Sequence, residues 1–343
     1  MRVFEGRTGW TLLFALGVIF PFAASNDYML TVMSTAYIFA LATVGLNLIT
    51  GYTGQFNLAH GSFMALGAYT VGILTVDHQV PFWLAFIAAG IVVAIVGALI
   101  GFVSLRLRGH YFSIFTLCVG YIMFLVIEKW DSLTHGVTDI IGIPAPSGFG
   151  LVSFESPRAL YYLTFAFLLL GVWLMHRIVN SLLGRTFMAI RNSDGLAQSL
   201  GINLMRNKVL AFVLSVIYAG LAGGLYAGAV RFLGPDLAGV EHTFDMTMYM
   251  LVGGIGTLAG PLLGALIVPW LTQYLQFLQE YRFVVFGPIL ILLVIFLPDG
   301  VVGLYLSRKH RRARRRALLV GSGDSNTAQS ARHPQASHGD GHA

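Results

Sequence analysis

The chain has 343 residues, of which 10% are Asp, Glu, Lys or Arg and 56% are hydrophobic, and its mean hydropathy is +0.75. A soluble domain of this length needs a hydrated surface, with about 25% charged residues, and a disordered chain needs low hydrophobicity; both are excluded, which leaves an all-α polytopic membrane protein. The formal charge of +6 belongs to the end of the chain, because residues 1–307 carry thirteen basic and thirteen acidic side chains while residues 308–343 carry eight and two, so it gives no support to a nucleic-acid-binding fold.

A helical crossing needs about 20 apolar residues. Stretches that read as crossings lie near 10–25, 29–50, 58–76, 82–105, 110–128, 159–179, 208–230, 244–256, 259–279 and 283–298. In the first, Arg2 and Arg7 precede an apolar run ending in Ala23-Ala24-Ser25, which also fits a cleaved signal; a retained span is the favoured reading. Cys118, the only cysteine, lies in the fifth and reads as a small buried hydrophobe; alone, it excludes an intrachain disulfide and a cysteine metal cluster. The loop 129–158, rich in Gly and Pro, should be turns and short pieces between two five-span halves. The eighth stretch is a half-span, broken by Gly253, Gly254, Gly256, Gly260 and Pro261.

Lys and Arg in short loops set orientation. Arg2, Arg7, Arg106, Arg108, Arg177, Arg185, Arg191, Arg206, Lys208 and the basic tail fall on one side, the cytoplasm, whereas the other side holds ten acids and only Lys129, Arg158, Arg231 and Arg282. Both termini are then cytoplasmic, the number of crossings is even, and 244–256 is kept as a crossing. About ten spans in two related halves result, with broken helices near 51–60 and 253–261 in matching places, as repeat-built transporters have them. Residues 1–307 form the transmembrane domain, 180–208 a cytoplasmic segment within it, and 308–343 a basic and then disordered tail.

Four segments are candidates for function. In Gly51-Tyr52-Thr53-Gly54-Gln55-Phe56-Asn57-Leu58-Ala59-His60, two glycines interrupt a helix, and Asn57 is a fair cap for the next one. Broken backbone at membrane depth is tolerated only when buried in protein or lining a wet cavity, so Gln55, Asn57 and His60 either edge a polar translocation path or only satisfy freed backbone groups. Gly97 and Gly101, then Gly220, Gly224 and Gly228, then Gly260 and Gly264, recur every fourth residue and allow close helix approach, within the chain or at a subunit interface. The segment 180–208 has four basic residues, Arg185, Arg191, Arg206 and Lys208, and one acid, Asp194; Ser193 or Asp194 can cap a short helix and Gly201 can end it. Such a helix suits docking into another protein's groove or lying on the membrane surface. The run 308–316 reads as an anionic-lipid anchor, and His333, His338 and His342 are too loosely spaced for a metal site.

Nothing in the chain resembles a phosphate-binding loop, a metal-ligand pair at helical spacing or a nucleophile beside a base. Apart from His60, no ionisable residue lies near the middle of an expected span, where ion-coupled pumps and membrane enzymes need them. No metal, cofactor or catalytic residue is expected. The pattern is that of a passive conduit which borrows its energy; a self-contained transporter or channel and a membrane-embedded enzyme remain as other readings.

These segments resemble a known family. Gly51-Tyr52-Thr53-Gly54-Gln55 through Gly67-Ala68-Tyr69 looks like the N-terminal signature of the branched-chain amino-acid ABC permeases of the LivM type. Ala189-Ile190-Arg191 through Gly201-Ile202-Asn203, followed by Lys208-Val209-Leu210-Ala211-Phe212 and Ala219-Gly220-Leu221-Ala222-Gly223, looks like that family's coupling segment and next span. Leu251-Val252-Gly253-Gly254-Ile255-Gly256-Thr257 with Gly260-Pro261, and Pro298-Asp299-Gly300 with Gly303-Leu304, match two further stretches, so the resemblance covers roughly residues 30–305.

The resemblance implies a permease subunit in the bacterial cytoplasmic membrane. It would pair with a second related permease, be driven by two ATPase subunits, and receive substrate from an extracytoplasmic binding protein. Residues 191–201 would be the helix that docks on an ATPase, with Arg191, Asn192, Asp194, Gly195, Ala197, Gln198 and Gly201 as coupling residues, and the interior a weakly selective path. Asn192, Ser193 and Gln198 stand where the family usually carries acids, which puts the docking chemistry in question. Relatives with similar motifs carry urea or short amides, so the substrate stays open.

Overall fold

The computed structural model describes residues 14, 17–22, 26–107, 109–148 and 154–274. The expected crossing at 283–298 and the tail at 308–343 lie outside these residues, as does much of the stretch 10–25. What is described is built almost wholly of helices. The first half contributes α1 (Asp27–Asn47), which passes into a π-helical turn over Leu48–Tyr52, then α2 (His60–Val76), α3 (Phe82–Ser104) and α4 (His110–Lys129). The loop 129–158 contains a single turn, α5 (Asp131–Thr134), a 3₁₀ turn at Gly136–Thr138 and the short strand β1 (Ile140–Ile141). Then come α6 (Pro157–Val179), α7 (Leu182–Asn192), α8 (Asp194–Ser199), α9 (Leu204–Val230), β2 (Phe232–Leu233), a 3₁₀ turn at Pro235–Ala238, α10 (Val240–Gly253) and α11 (Ala259–Tyr274).

Five helices are long and apolar enough to cross a bilayer: α1 with its π turn, α3, α4, α6 and α9. At 1.5 Å per residue, α3 spans about 34 Å, against a hydrocarbon core of about 30 Å. Three more that match expected crossings, α2, α10 and the 16-residue α11, are shorter. The 17 residues of α2 reach about 26 Å and the 14 of α10 about 21 Å. The expected half-span at 244–256 thus begins earlier and stops at Gly253, and α10 and α11 pack as a tight pair beyond it. The count of ten spans in two halves goes beyond the described residues.

Burial divides the helices by role. In the most apolar window, 72% of the α1 unit is buried against 28% of α3 and 22% of α4, although α3 is the most apolar of all. In water that would be a defect; beside lipid tails it is the expected arrangement, since a helix bathed in hydrocarbon needs apolar side chains all round. Leu84, Ile87, Ile91, Ile95 and Leu99 form the bare stripe of α3. Cys118 is on the bare face of α4 and is exposed, which corrects its reading as a buried side chain: near the bilayer centre an apolar run carries no information about which face meets protein.

The centre is α9, packed on α1, α2 and α3, with α6 and α11 closing against α1. Glycines set the spacing. A methyl group on Gly67 would overlap the Gly220 carbonyl, and one on Gly223 would overlap that of Met64. Gly97 and Gly101 admit Val216 and Phe212, while Gly220, Gly224 and Gly228 admit Val93, Phe86 and Phe82. Gly260 and Gly264 do the same between α10 and α11. All three four-residue glycine runs therefore bring helices of one chain together, which is the plain reading of that spacing.

Residues 17–22 are helical and rest on α6, where Tyr161 Oη donates to the Gly17 carbonyl at 2.8 Å and the Phe20 ring stacks on Tyr161. On the side expected to face outwards, β1 pairs antiparallel with β2, Ile140 opposite Leu233 and Ile141 opposite Phe232. This ladder ties the long loop to the link between α9 and α10.

Candidate functional site

At the first helix break, three carbonyls of the π turn take partners from outside the helix. Thr53 Oγ1 donates to Leu48 O at 2.9 Å and the Gln55 amide to Ile49 O at 3.0 Å. The Gly51 carbonyl is taken by Arg191 Nη1, reaching across from the corner between α7 and α8. Gly54 then adopts a φ of +77°, which glycine reaches without strain. Beyond it the chain runs up beside α1 and restarts as α2 at His60, whose Nε2 lies 2.9 Å from the Ala42 carbonyl, well inside α1. The first amides of α2 and its approach are also supplied: Leu58 N by Thr116 Oγ1 at 3.1 Å, Ala59 N by Asn57 Oδ1 at 3.0 Å, Gly61 N by Thr243 Oγ1 at 2.8 Å. Asn57 thus closes a turn two residues long instead of capping α2 directly. His60 and Asn57 are buried, at 0% and 1% exposure, and only Gln55 of the three expected path residues reaches the surface in this conformation. Asn57 Nδ2 and His60 Nδ1 have no hydrogen-bond partner.

The second break lies between α10 and α11. Gly254 and Gly256 have φ of +121° and +72°. Thr257 Oγ1 donates to Gly254 O at 2.9 Å and accepts from Gly260 N at 3.0 Å. Asn47, the last residue of α1, joins the two breaks: its Oδ1 accepts from Gly256 N at 2.9 Å and its Nδ2 donates to Thr257 O at 2.8 Å. Gly51 faces this junction, and a methyl group there would overlap Asn47 Oδ1 and lie 2.7 Å from Gly256 N.

The segment 180–208 forms the third part. Ser181 caps α7, Ser193 caps α8 through a 3.2 Å bond from Leu196 N, and Asn203 caps α9 through a 3.0 Å bond from Arg206 N. Gly201, at φ +79°, ends α8: its amide bonds Gln198 O at 3.0 Å and that of Ile202 bonds Ala197 O at 3.1 Å, a Schellman ending. Ala197 is buried, whereas Asn192, Gly195 and Gln198 are exposed. Asp194 Oδ2 accepts from Lys208 Nζ at 2.6 Å, with Lys208 almost wholly buried, so α8 is fastened to α9 by an ion pair. Leu196 and Leu200, 63% and 71% exposed, crown the short helix. Arg191 turns away from that crown toward Gly51. Sequence reasoning placed the cytoplasmic residues on a capped helix but did not see Asn47, whose only signal was an amide side chain inside an apolar run.

A body of long apolar helices, with two helix breaks joined through Asn47 beside a short capped helix, has the form of a membrane permease. The chain matches the family described as branched-chain amino acid transport system, permease component, across residues 28–294, and belongs to it. It is 28% identical over 312 residues to the high-affinity branched-chain amino acid transport system permease protein LivM of Salmonella typhimurium, covering 84% of this chain and 73% of that one. It is 27% identical over 286 residues to the corresponding LivH of Escherichia coli, covering 77% and 91%. To the ribose import permease protein RbsC of Haemophilus influenzae it is 24% identical over 302 residues, covering 85% and 91%. No solved structure matches the chain significantly.

Proposed function

We propose that the chain is the permease subunit of an ATP-binding-cassette importer for branched-chain or related amino acids. It pairs with a second, related permease, takes substrate from an extracytoplasmic binding protein, and is driven by two ATPase subunits. It lies in the bacterial cytoplasmic membrane with about ten spans and both termini inside, and does not itself hydrolyse ATP. The observation that carries this reading is α8: a six-residue helix, capped at both ends, that leaves Leu196 and the following Leu200 exposed while Asp194 fastens it to α9. An exposed apolar crown on a rigid mount suits a protein groove. Asn192, Asp194, Gly195, Ala197, Gln198 and Gly201 shape and hold that mount, and Arg191 at its base couples it to the Gly51 carbonyl.

Transport is alternating access. Closure of the ATPase pair moves α8, and the motion opens the path to one side and then the other. Gln55, Asn57 and His60 line the path in the state that parts the 53–60 strip from α1. His60→Leu is expected to change uptake rate or substrate preference; normal uptake with normal preference would remove His60 from the path.

The test of class is purification in mild detergent from the native membrane. ATPase subunits and a second permease in near-stoichiometric amounts are expected. A chain recovered alone, from a preparation that keeps other membrane complexes intact, would overturn the proposal in favour of a self-contained transporter.

A further inference from the structure

We infer that Asn47 and Arg191 form a mechanical joint that locks both helix breaks to the cytoplasmic segment, so that Arg191 transmits motion inward instead of touching an ATPase. This rests on the reading of 180–208 as the coupling segment. Four observations carry it. Asn47 uses both ends of its amide on the second break, 209 and 210 residues away in sequence. Arg191 Nη1 holds the Gly51 carbonyl, freed by the first break, and occupies the space where a side chain on Gly256 would lie. The chain at Gly54 wraps the base of Arg191, whose Cγ and Cα are 3.2 and 3.6 Å from where a Gly54 Cβ would lie. Arg191 itself stands at the corner between α7 and α8, and α8 is pinned to α9 by Asp194 and Lys208.

The chemistry suits a joint. A planar guanidinium has donors to spare in a fixed fork, so it can hold one carbonyl while staying wedged between two glycine backbones; an ammonium on a flexible stem cannot do both. Side chains larger than hydrogen are excluded at Gly51 and Gly256 by the joint itself. Arg191 keeps an exposed flank while its guanidinium end holds Gly51, and the outward apolar crown of α8 is left to dock. A displacement of α8 then reaches residues 48–54 and 254–257 as one movement.

The test uses the full complex, with both permeases, ATPase subunits and binding protein in lipid nanodiscs or vesicles. Arg191→Met and Asn47→Leu are expected to keep wild-type ATPase stoichiometry while substrate imported per ATP hydrolysed falls about tenfold or more, the scale of one charge-assisted contact. Arg191→Lys should fall in between. A second measurement reads the joint directly: in a Cys118→Ser background, spin labels at Ser199→Cys and Leu263→Cys report the distance from α8 to α11. That distance should stay constant between nucleotide-free and ATP-bound complexes, and should vary once Arg191→Met is added. Unchanged import per ATP in Arg191→Met overturns the joint. So does loss of ATPase subunits from that variant, which would make Arg191 a docking contact, or an ATP-dependent label distance in the intact joint. Failure of the unmodified chain to bind ATPase subunits would instead overturn the coupling reading beneath it.

Discussion

Lys208 is almost wholly buried at the start of α9 and its ammonium meets Asp194 at 2.6 Å. Removing only the acid strands a buried charge, which costs more than removing the pair. Asp194→Ala is therefore expected to lower stability by about 3 kcal/mol, whereas the double change Asp194→Ala with Lys208→Met should recover most of it. Thermal unfolding of the detergent-solubilised chain checks this, and equal losses in the two variants would show that the pair is not desolvated. Asp194 was legible in sequence as the lone acid of a basic segment, but its partner was not, because Lys208 reads as one more cytoplasmic charge. The sequence marked Arg191 for the coupling segment but gave no hint that its side chain reaches the Gly51 carbonyl. Asn47 was missed because polar residues inside apolar spans usually bond to their own helix, as Ser34 and Thr43 do here.

Among the elements, helix identity followed from apolar length, and the glycine spacing rightly announced close contacts. What spacing alone left open was which helices meet. The structure answers with backbone-to-backbone contact between α2 and α9. Gly67→Ala or Gly223→Ala is expected to push these helices apart at a cost of about 1–3 kcal/mol, seen as a smaller monodisperse fraction after solubilisation. Gly195→Ala is the control, since a methyl group there meets nothing within 4 Å. The exposed face of α4 yields another prediction. If that face lies against lipid, a neutral lipid-soluble maleimide should label Cys118 in membranes and a charged one should not. Rapid labelling by the charged reagent would place Cys118 beside water instead. Burial of Cys118 could not be read from the sequence, because lipid-facing and protein-facing positions share one apolar alphabet.

At the scale of the whole molecule, the five long spans and the broken seventeen-residue α2 were legible from hydropathy. The pair α10 and α11 was less so: glycines and Pro261 blur periodicity, and two short helices meeting at a break carry no length signal. Orientation rests on Lys and Arg bias and is open to direct test. Reporter enzymes fused after Ala343 and inserted in the 129–158 loop should report cytoplasm and exterior, respectively, and the same side for both would break the even-crossing argument.

The glycine contacts around α9 also limit what can move. Backbones that already touch leave little slack, so α2 and α9 are held together as one keel. Because the Asp194–Lys208 pair straps α8 to that keel, a push on α8 tilts the frame as a body instead of flexing one helix against the next.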